Sequence, residues 1–382
     1  MTYREKKNSL SDRIRFLAKR ASFHHHFISR IASEAAYLES VHGNERNGRI
    51  SEILTIFNNG NNHLDLKKDK KLIKDILYAK AFYAIQYKEY YLFGLDQSKN
   101  RDKLSYVGWI ELENYYEILN ETGCPEVFDQ KEKTYERFGK FYHRELIYVQ
   151  SQKQHDSFIS FIIRHPDCIL KPTENYGGIG IEIIHAADHQ PEELWEKYKK
   201  RCPFVLEELI EQAPEMNVFY PHAVNTIRYN TFFYNNKLTK MQAVFRIGRG
   251  GSVVDNATSG GIYTLVDTET GRILGPARSF RGELFERHPD TGTQFKDNYI
   301  PRWAELNAVI DQVVRVVPEQ KQVGWDFALS KDGWVMVEGN TTPALQSFDL
   351  DHGLRDLVSN TFGQVIPMWD KGKRKNNISN LY

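Results

Sequence analysis

Cysteine is scarce in this sequence, with three residues in 382. Cys124, Cys168 and Cys202 have neither the spacing of a metal site nor the even number of a disulfide framework, which favours a reducing compartment. No apolar run approaches the roughly 20 residues that a membrane span needs. The first residues, MTYREKKNSLSDRIRF, contain no apolar signal core. We therefore expect a cytoplasmic protein with no transmembrane segment.

The net charge of the chain is small, at +1 from 51 Lys and Arg against 50 Asp and Glu. A balanced charge gives no global field for nucleic acid, so we expect no nucleic-acid partner. In the first third, apolar residues recur at helical spacing and predict helices at about 11–40, 50–57 and 66–92. This part contains no catalytic motif, and we assign 1–124 to a helical accessory region.

From about residue 125, short strand and helix patterns are mixed, which predicts an α+β fold. The strand at 168–172 carries Lys171 and leads into a loop with Gly177, Gly178 and Gly180. A second apolar run follows, whereas a Walker loop or a dinucleotide fingerprint would open a helix. A glycine loop between strands can donate backbone N–H groups to phosphates, with Lys171 as a point charge. Alone, the pattern favours an ordinary turn.

A later strand, 204–210, contains the paired acids Glu207 and Glu208 followed by Leu209. In a hinge between domains, such a segment can contact an adenine through its backbone and ribose hydroxyls through a carboxylate. Exposed acids at a strand end explain the pattern equally well. Arg228 and Arg246 stand near the ends of further strands and suit carboxylate or phosphate binding. Taken alone, they fit solvated arginines on a sheet face equally well.

The segment 322–346 predicts a β-hairpin. Apolar and polar residues alternate in 323–329 and again in 334–340. We interpret 331–333 as a three-residue loop, a type I turn closed by a left-handed glycine. That loop pairs Asp326 with Glu338 on one face, whereas a two-residue turn would put them on opposite faces.

Asn340 lies two residues beyond Glu338 and shares its face. Two carboxylates and an amide oxygen are hard ligands that suit Mg²⁺, which binds few protein groups and leaves positions for phosphates. The alternative is a solvated Asp and Glu on an exposed face. Because these groups converge where the other face is apolar, the metal site at Asp326, Glu338 and Asn340 is the preferred interpretation.

In this order, the motifs resemble the ATP-grasp superfamily. More narrowly, the chain is similar to the sugar-transfer-associated ATP-grasp family of bacterial polysaccharide gene clusters. The similar residues run from about 131 to 354. They are Lys171-Pro172 with Gly177 to Gly180, Glu207 to Gln212, Asn225 to Arg228, Arg246 to Gly248, Val254 to Asn256 with Gly260-Gly261, Gly324 to Asp326, and Glu338 to Asn340. The combination is specific, although each piece singly is not.

The resemblance implies an ATP-grasp fold, in which lobes at 125–204 and 205–382 hold ATP and Mg²⁺. Lys131, or alternatively Lys133, would hold the nucleotide phosphates together with Lys171. The glycine loop would cover those phosphates, and Glu207, Glu208 and Leu209 would contact the rest of the nucleotide.

The resemblance also implies that a carboxylate attacks the γ-phosphate and that an amine then displaces phosphate from the acyl phosphate. Arg228, Arg246 and Asn256 would act on the reacting groups, with the N–H groups of Gly260 and Gly261 as oxyanion donors. The expected substrates are a small-molecule or saccharide carboxylate and an amine, and glycosyltransferases are the expected pathway partners. A sugar kinase and a non-catalytic nucleotide-binding partner of a glycosyltransferase stay open as alternatives.

Overall fold

Helices fill the first part of the chain, and strands follow. The computed structural model describes residues 26–42, 48–58, 63–96, 103–173, 180–345 and 353–365. Its α-helices are α1 (His26–His42), α2 (Gly48–Asn58), α3 (Lys70–Tyr83), α4 (Tyr87–Leu92), α5 (Trp109–Asn120), α6 (Glu126–Asp129), α7 (Lys131–Phe138), α8 (His155–Arg164), α9 (Pro191–Tyr198), α10 (Pro214–Asn217), α11 (Trp303–Val313) and α12 (Arg355–Phe362).

The helix predicted at 66–92 is wrong as a single element, because α3 ends and α4 begins within it. Ala84 takes a left-handed φ of 57° and its N–H bonds the Ala79 carbonyl, which closes α3. Two residues on, Gln86 starts α4 with a capping box that includes Glu89. A non-glycine residue in the left-handed region has no sequence signature here. Residues 11–25 of the first predicted helix lie outside the described part of the chain.

The described residues form two compact units. One contains those up to Ile118, with Arg281–Glu283 and those from Ala344 onward; the other contains Leu119–Phe280 and Leu284–Pro343. All of the candidate site residues lie in the second unit. The three-domain division at 124 and 204 stays a prediction.

A four-stranded antiparallel sheet in the second unit has the order β1-β4-β2-β3. Its strands are β1 (Leu146–Val149), β2 (Asp167–Pro172), β3 (Glu182–His185) and β4 (Phe204–Glu208). Apolar residues of this sheet pack with α8 and α9 in one cluster, in which Phe158, Phe161 and Trp195 are buried. Within this sheet, Glu207 of β4 lies opposite Ile169 of β2.

The second sheet has seven antiparallel strands in the order β11-β10-β5-β6-β7-β8-β9. They are β5 (Thr226–Tyr234), β6 (Lys237–Ile247), β7 (Ile262–Val266), β8 (Ala277–Ser279), β9 (Leu284–Phe285), β10 (Gln322–Ser330) and β11 (Gly333–Asn340). One face packs against α11: Tyr229 stacks on Trp303 with ring centroids 5.7 Å apart. Trp325 and Phe327 belong to the same core. The residues that alternate with them along the strands lie on the opposite face of the sheet.

The turn of the β10–β11 hairpin is shorter than the sequence predicted. Ser330 pairs with Gly333, so the loop contains only Lys331 and Asp332. The prediction of a three-residue loop at 331–333 is therefore wrong.

A β-bulge nevertheless restores the expected pairing. Phe327 pairs with Met336, but Asp326 pairs with Glu338, so Val337 is an extra residue on β11. One extra residue moves all side chains beyond it to the opposite face. The bulge therefore cancels the one-residue shift from the shorter turn, and Asp326 faces Glu338 as predicted.

Within the described residues, none of the helices has the length and apolar content that crossing a membrane requires.

Candidate functional site

Three predicted metal ligands lie together on β10 and β11. Asp326 is directly opposite Glu338. The Nδ2 of Asn340 donates to the Oε1 of Glu338 at 3.2 Å. The Asp326 side chain is only 1% exposed, whereas that of Glu338 is 52% exposed. Asp326 therefore lies beneath the surface of the site, and Glu338 is open to a ligand.

Both predicted arginines converge on Asp326. Arg228 bonds Oδ1 through its Nε and Oδ2 through its Nη2, the latter at 2.9 Å. Arg246 donates from Nη2 to Oδ2 at 2.7 Å. Arg228 is opposite Asp326 on the neighbouring strand, and Arg246 pairs with Thr226, two residues earlier on β5. The sheet register thus brings together residues that are 80 to 98 positions apart in sequence.

This network determines the charge of Asp326. Burial opposes its ionisation, but Arg228 and then Arg246 lower the pKa of Asp326 to about 2. Glu338 behaves differently: partial loss of surrounding water and the nearby carboxylate of Asp326 raise its pKa. Asp326 is therefore a fixed anion between two cations.

The two guanidinium groups keep donors for a ligand. Each uses its Nε and Nη2 on protein groups. Neither Nη1 of Arg228 nor Nη1 of Arg246 has a hydrogen-bond partner in the described part of the chain. Because a guanidinium has five N–H donors in a fixed plane, both arginines can bind an anion while Asp326 holds them in place.

Asp255 is a site residue to which the sequence analysis gave no role of its own. Its Oδ2 accepts from the backbone N of Thr226 at 3.0 Å, and also from the Thr226 hydroxyl. It lies 3.8 Å from the Nε of Arg246. Burial raises the pKa of Asp255, while Arg246 opposes that rise. Asp255 connects the long loop after β6 to the arginine network.

Asn256, a predicted catalytic residue, follows Asp255 in that loop. Its carbonyl oxygen accepts from the N–H of Gly261 at 3.0 Å, and the N–H of Gly260 donates to the Ala257 carbonyl at 3.3 Å. Both glycine amides are therefore used within the loop. The oxyanion role of the two glycine amides and the catalytic role of Asn256 stay predictions.

A second ionic cluster surrounds Glu207, whose side chain is 3% exposed. Lys171 on β2 places its Nζ 2.8 Å from Glu207 Oε2. Arg144, which the sequence analysis did not identify, donates to the same oxygen from Nη2 at 2.8 Å. Although burial opposes ionisation, Lys171 and Arg144 lower the pKa of Glu207 to about 2. Glu207 thus binds Lys171 instead of facing outward as a ribose ligand would.

The two lysines considered for the nucleotide phosphates differ in their surroundings. Lys131 begins α7. Burial lowers its pKa, Glu338 raises it, and Lys171 lowers it further. These interactions place Lys131 near both ionic clusters, whereas Lys133 is exposed.

Other predicted nucleotide contacts lie at the edge of this region. Glu208 accepts from the backbone N of Glu145 at 3.2 Å, and Leu209 follows the end of β4. Gly180 has a positive φ of 79°, and its carbonyl accepts from Arg201 at 2.9 Å. Gly177 and Gly178 lie outside the described residues.

The donor set fits Mg²⁺ at two of the three predicted ligands. Glu338 and Asn340 offer adjacent side-chain oxygens, and Mg²⁺ typically takes one or two carboxylates and completes its shell with phosphates and water. Both oxygens of Asp326 accept from arginines, so this arrangement disfavours Asp326 as a ligand. Among the described residues, no group of three His, Cys, Asp or Glu side chains could hold a metal.

The sequence matches the profile of a family described as sugar-transfer associated ATP-grasp over residues 112–362. That match covers more than half of the chain and includes all of the candidate site residues. The search of curated proteins gives no match.

Several solved structures are similar to the chain at low identity. D-alanyl-alanine synthetase A from Vibrio cholerae has 12% identity and a TM-score of 0.38, covering 62% of this chain and 66% of that one. For N5-carboxyaminoimidazole synthetase from Staphylococcus aureus with ADP, the values are 10%, 0.37, 62% and 51%. For a RiPP-associated ATP-grasp ligase from Chryseobacterium gregarium with ADP and peptides, they are 12%, 0.35, 64% and 66%. The chain thus spans from about half to just under two thirds of these structures.

Proposed function

The chain belongs to the sugar-transfer associated ATP-grasp family, and we propose that it is an ATP-dependent carboxylate–amine ligase acting on a sugar carboxylate. The amine would come from an amino acid or another small amine, and the amide product would enter surface polysaccharide synthesis. One observation carries the proposal: Arg228 and Arg246 are held by Asp326 with donors to spare, beside the half-exposed Glu338.

The nucleotide would bind where Lys131 and Lys171 converge. Lys171 is 13% exposed and already lies against a carboxylate oxygen, a position in which its ammonium can bind a phosphate oxygen instead. Glu338 and Asn340 would hold Mg²⁺, which supplies neutralisation of phosphate charge when bound. The two lysines, Glu338 and Asn340 would act by positioning the nucleotide, so the reaction requires no activated Ser, Cys or His.

The sugar carboxylate would lie against the free guanidinium donors of Arg228 and Arg246. One carboxylate oxygen attacks the γ-phosphorus, the bond to the β-phosphate bridging oxygen breaks, and ADP leaves. The amine then adds to the acyl carbon, loses a proton and expels inorganic phosphate, which leaves an amide. The two arginines orient the carboxylate and stabilise negative charge as it moves between these groups.

Two wider features of the proposal rest on the family and on the reactants. The family's association with sugar transfer supports glycosyltransferases as neighbours in the same pathway. Dependence on ATP supports a cytoplasmic site of action.

The reaction class is tested by trapping with hydroxylamine. Enzyme, Mg²⁺ and ATP are incubated with glucuronic or galacturonic acid, with and without hydroxylamine, and hydroxamate and ADP are measured. An acyl phosphate is attacked by hydroxylamine, so we expect hydroxamate to form with each ADP released. The methyl ester of the same acid has no free carboxylate and serves as the control.

If a stable phosphorylated sugar forms and no hydroxamate is found, the chain is a kinase that uses the same ATP site and not a ligase. ADP release from the methyl ester would point the same way, because a kinase uses a hydroxyl that the ester retains.

The nucleotide site is tested by Lys171→Ala. We expect ATP and ADP to bind roughly ten- to a hundredfold more weakly, because a hydrogen bond to a charged group contributes about 1.5–3 kcal/mol. Glu207 keeps Arg144 as a partner, so the fold should persist. Calorimetry measures the affinity, and Lys199→Ala, which removes an ion pair with Glu196, is the matched control. Unchanged ATP affinity would refute the role of Lys171.

A further inference from the structure

Arg144 is a buried arginine between α7 and β1, and the proposed reaction does not use it. Its side chain is 4% exposed. Burying a guanidinium is costly unless its donors are satisfied. Arg144 meets that condition with donors to Glu207, to the Met336 carbonyl and to the Tyr142 carbonyl. Its guanidinium carbon also lies 4.5 Å from the centre of the Tyr142 ring.

The first consequence concerns the charge of Glu207. Arg144 donates to Glu207 Oε2 from Nη2 at 2.8 Å and from Nε at 3.2 Å. Lys171 contacts the same oxygen at 2.8 Å. If Arg144 were absent, Lys171 would be the one cation of the described residues that still contacts this buried carboxylate. Breaking that pair would then leave an uncompensated buried charge, so Lys171 would be held away from a nucleotide.

The second consequence concerns the two sheets. The Nη1 of Arg144 donates to the Met336 carbonyl on β11 at 2.6 Å. Met336 is two residues before Glu338. The planar guanidinium reaches Glu207 on β4 and this carbonyl at once, because its donors diverge in one plane. Arg144 therefore connects the carboxylate that binds Lys171 to the strand that carries Glu338.

We propose that Arg144 is a positioning residue for the nucleotide. It neutralises Glu207, so that the Lys171 ammonium can turn to phosphate, and it fixes the spacing between Lys171 and Glu338. This inference rests on the proposed nucleotide role of Lys171 and adds the residue that makes Lys171 available.

The test is a rescue measured by ADP binding. Arg144→Met removes the guanidinium, and we expect ADP affinity to fall about tenfold or more, equivalent to roughly 1.4 kcal/mol. Adding Glu207→Gln removes the carboxylate that then captures Lys171, so the double variant should bind ADP within about threefold of the parent chain. Arg164→Met, which breaks the exposed pair with Glu145, is the control.

A purely structural role for Arg144 predicts no rescue, because removing Glu207 would take away a further contact. Wild-type affinity in Arg144→Met, or a double variant no better than the single one, would overturn the inference. Should Arg144→Met fail to fold, Arg144→Gln, which also removes the positive charge but keeps a polar side chain, is measured by the same rescue criterion. If Lys171→Ala also leaves ADP binding unchanged, the nucleotide proposal itself has failed; if it weakens binding, only the inference about Arg144 has.

Discussion

Glu338→Ala should abolish measurable ADP release while leaving the fold intact. Removing one electrostatic contact to a transferring group lowers the rate by about 10²–10³. The Glu338 side chain is 52% exposed on an edge strand, so its loss opens no cavity in the core. ADP release is measured by a coupled assay, and the fold by circular dichroism and the urea midpoint.

A binding measurement separates a metal role from a general loss of activity. Mg²⁺ should strengthen ADP binding to the parent chain, and this gain should vanish in Glu338→Ala. Asp332→Asn changes an exposed acid in the turn of the same hairpin and should keep both properties. An undiminished Mg²⁺ effect in Glu338→Ala would rule out Glu338 as a holder of the metal.

The β10–β11 hairpin shows which structural features the sequence pattern can predict and which it cannot. Alternation predicted the two strands, and the pairing of Asp326 with Glu338 is confirmed. The reason given for this pairing, a three-residue loop, was wrong. The loop is one residue shorter, and a bulge at Val337 compensates for the resulting one-residue shift in register. Nothing in the alternation marks that bulge, because Val337 occupies a position that suits a regular strand equally well. The face was therefore predictable, but the local geometry was not.

The side chains that bind the site residues were harder to predict from the sequence than the strands were. Arg144 and Glu207 are 63 residues apart and meet only because β4 and β11 come together around the guanidinium. Asp255 was given no role of its own for a similar reason: it lies in a loop, and its partner Thr226 is on β5, 29 residues earlier in the sequence. Arginines near strand ends could be proposed as anion ligands, but only the sheet register reveals that a buried aspartate orients them.

Asp326→Asn should cost far more stability than Glu338→Ala, although both were predicted to be metal ligands. The change leaves Arg228 and Arg246 without their shared anion in a site where Asp326 is 1% exposed. Removing one partner of a buried ion pair costs about 3–5 kcal/mol. Urea unfolding measures this, and Asp311→Asn, which breaks a surface pair with Arg315, should cost only about 0–1 kcal/mol.

The pH dependence of the unfolding free energy provides a second measurement, and the direction of the expected change is defined. Because the folded-state pKa of Asp326 is about 2, below the ordinary 3.8, its ionisation adds stability that is fully present above pH 3.8. That stability disappears as the pH falls from 3.8 toward 2, when the carboxylate takes up a proton. Asparagine cannot titrate, so the difference in unfolding free energy between the parent chain and Asp326→Asn should shrink over that interval. A difference that is constant with pH, or no larger than that of Asp311→Asn, would mean that Asp326 does not anchor the arginines. Its two oxygens would then be available to a metal, as the sequence first suggested.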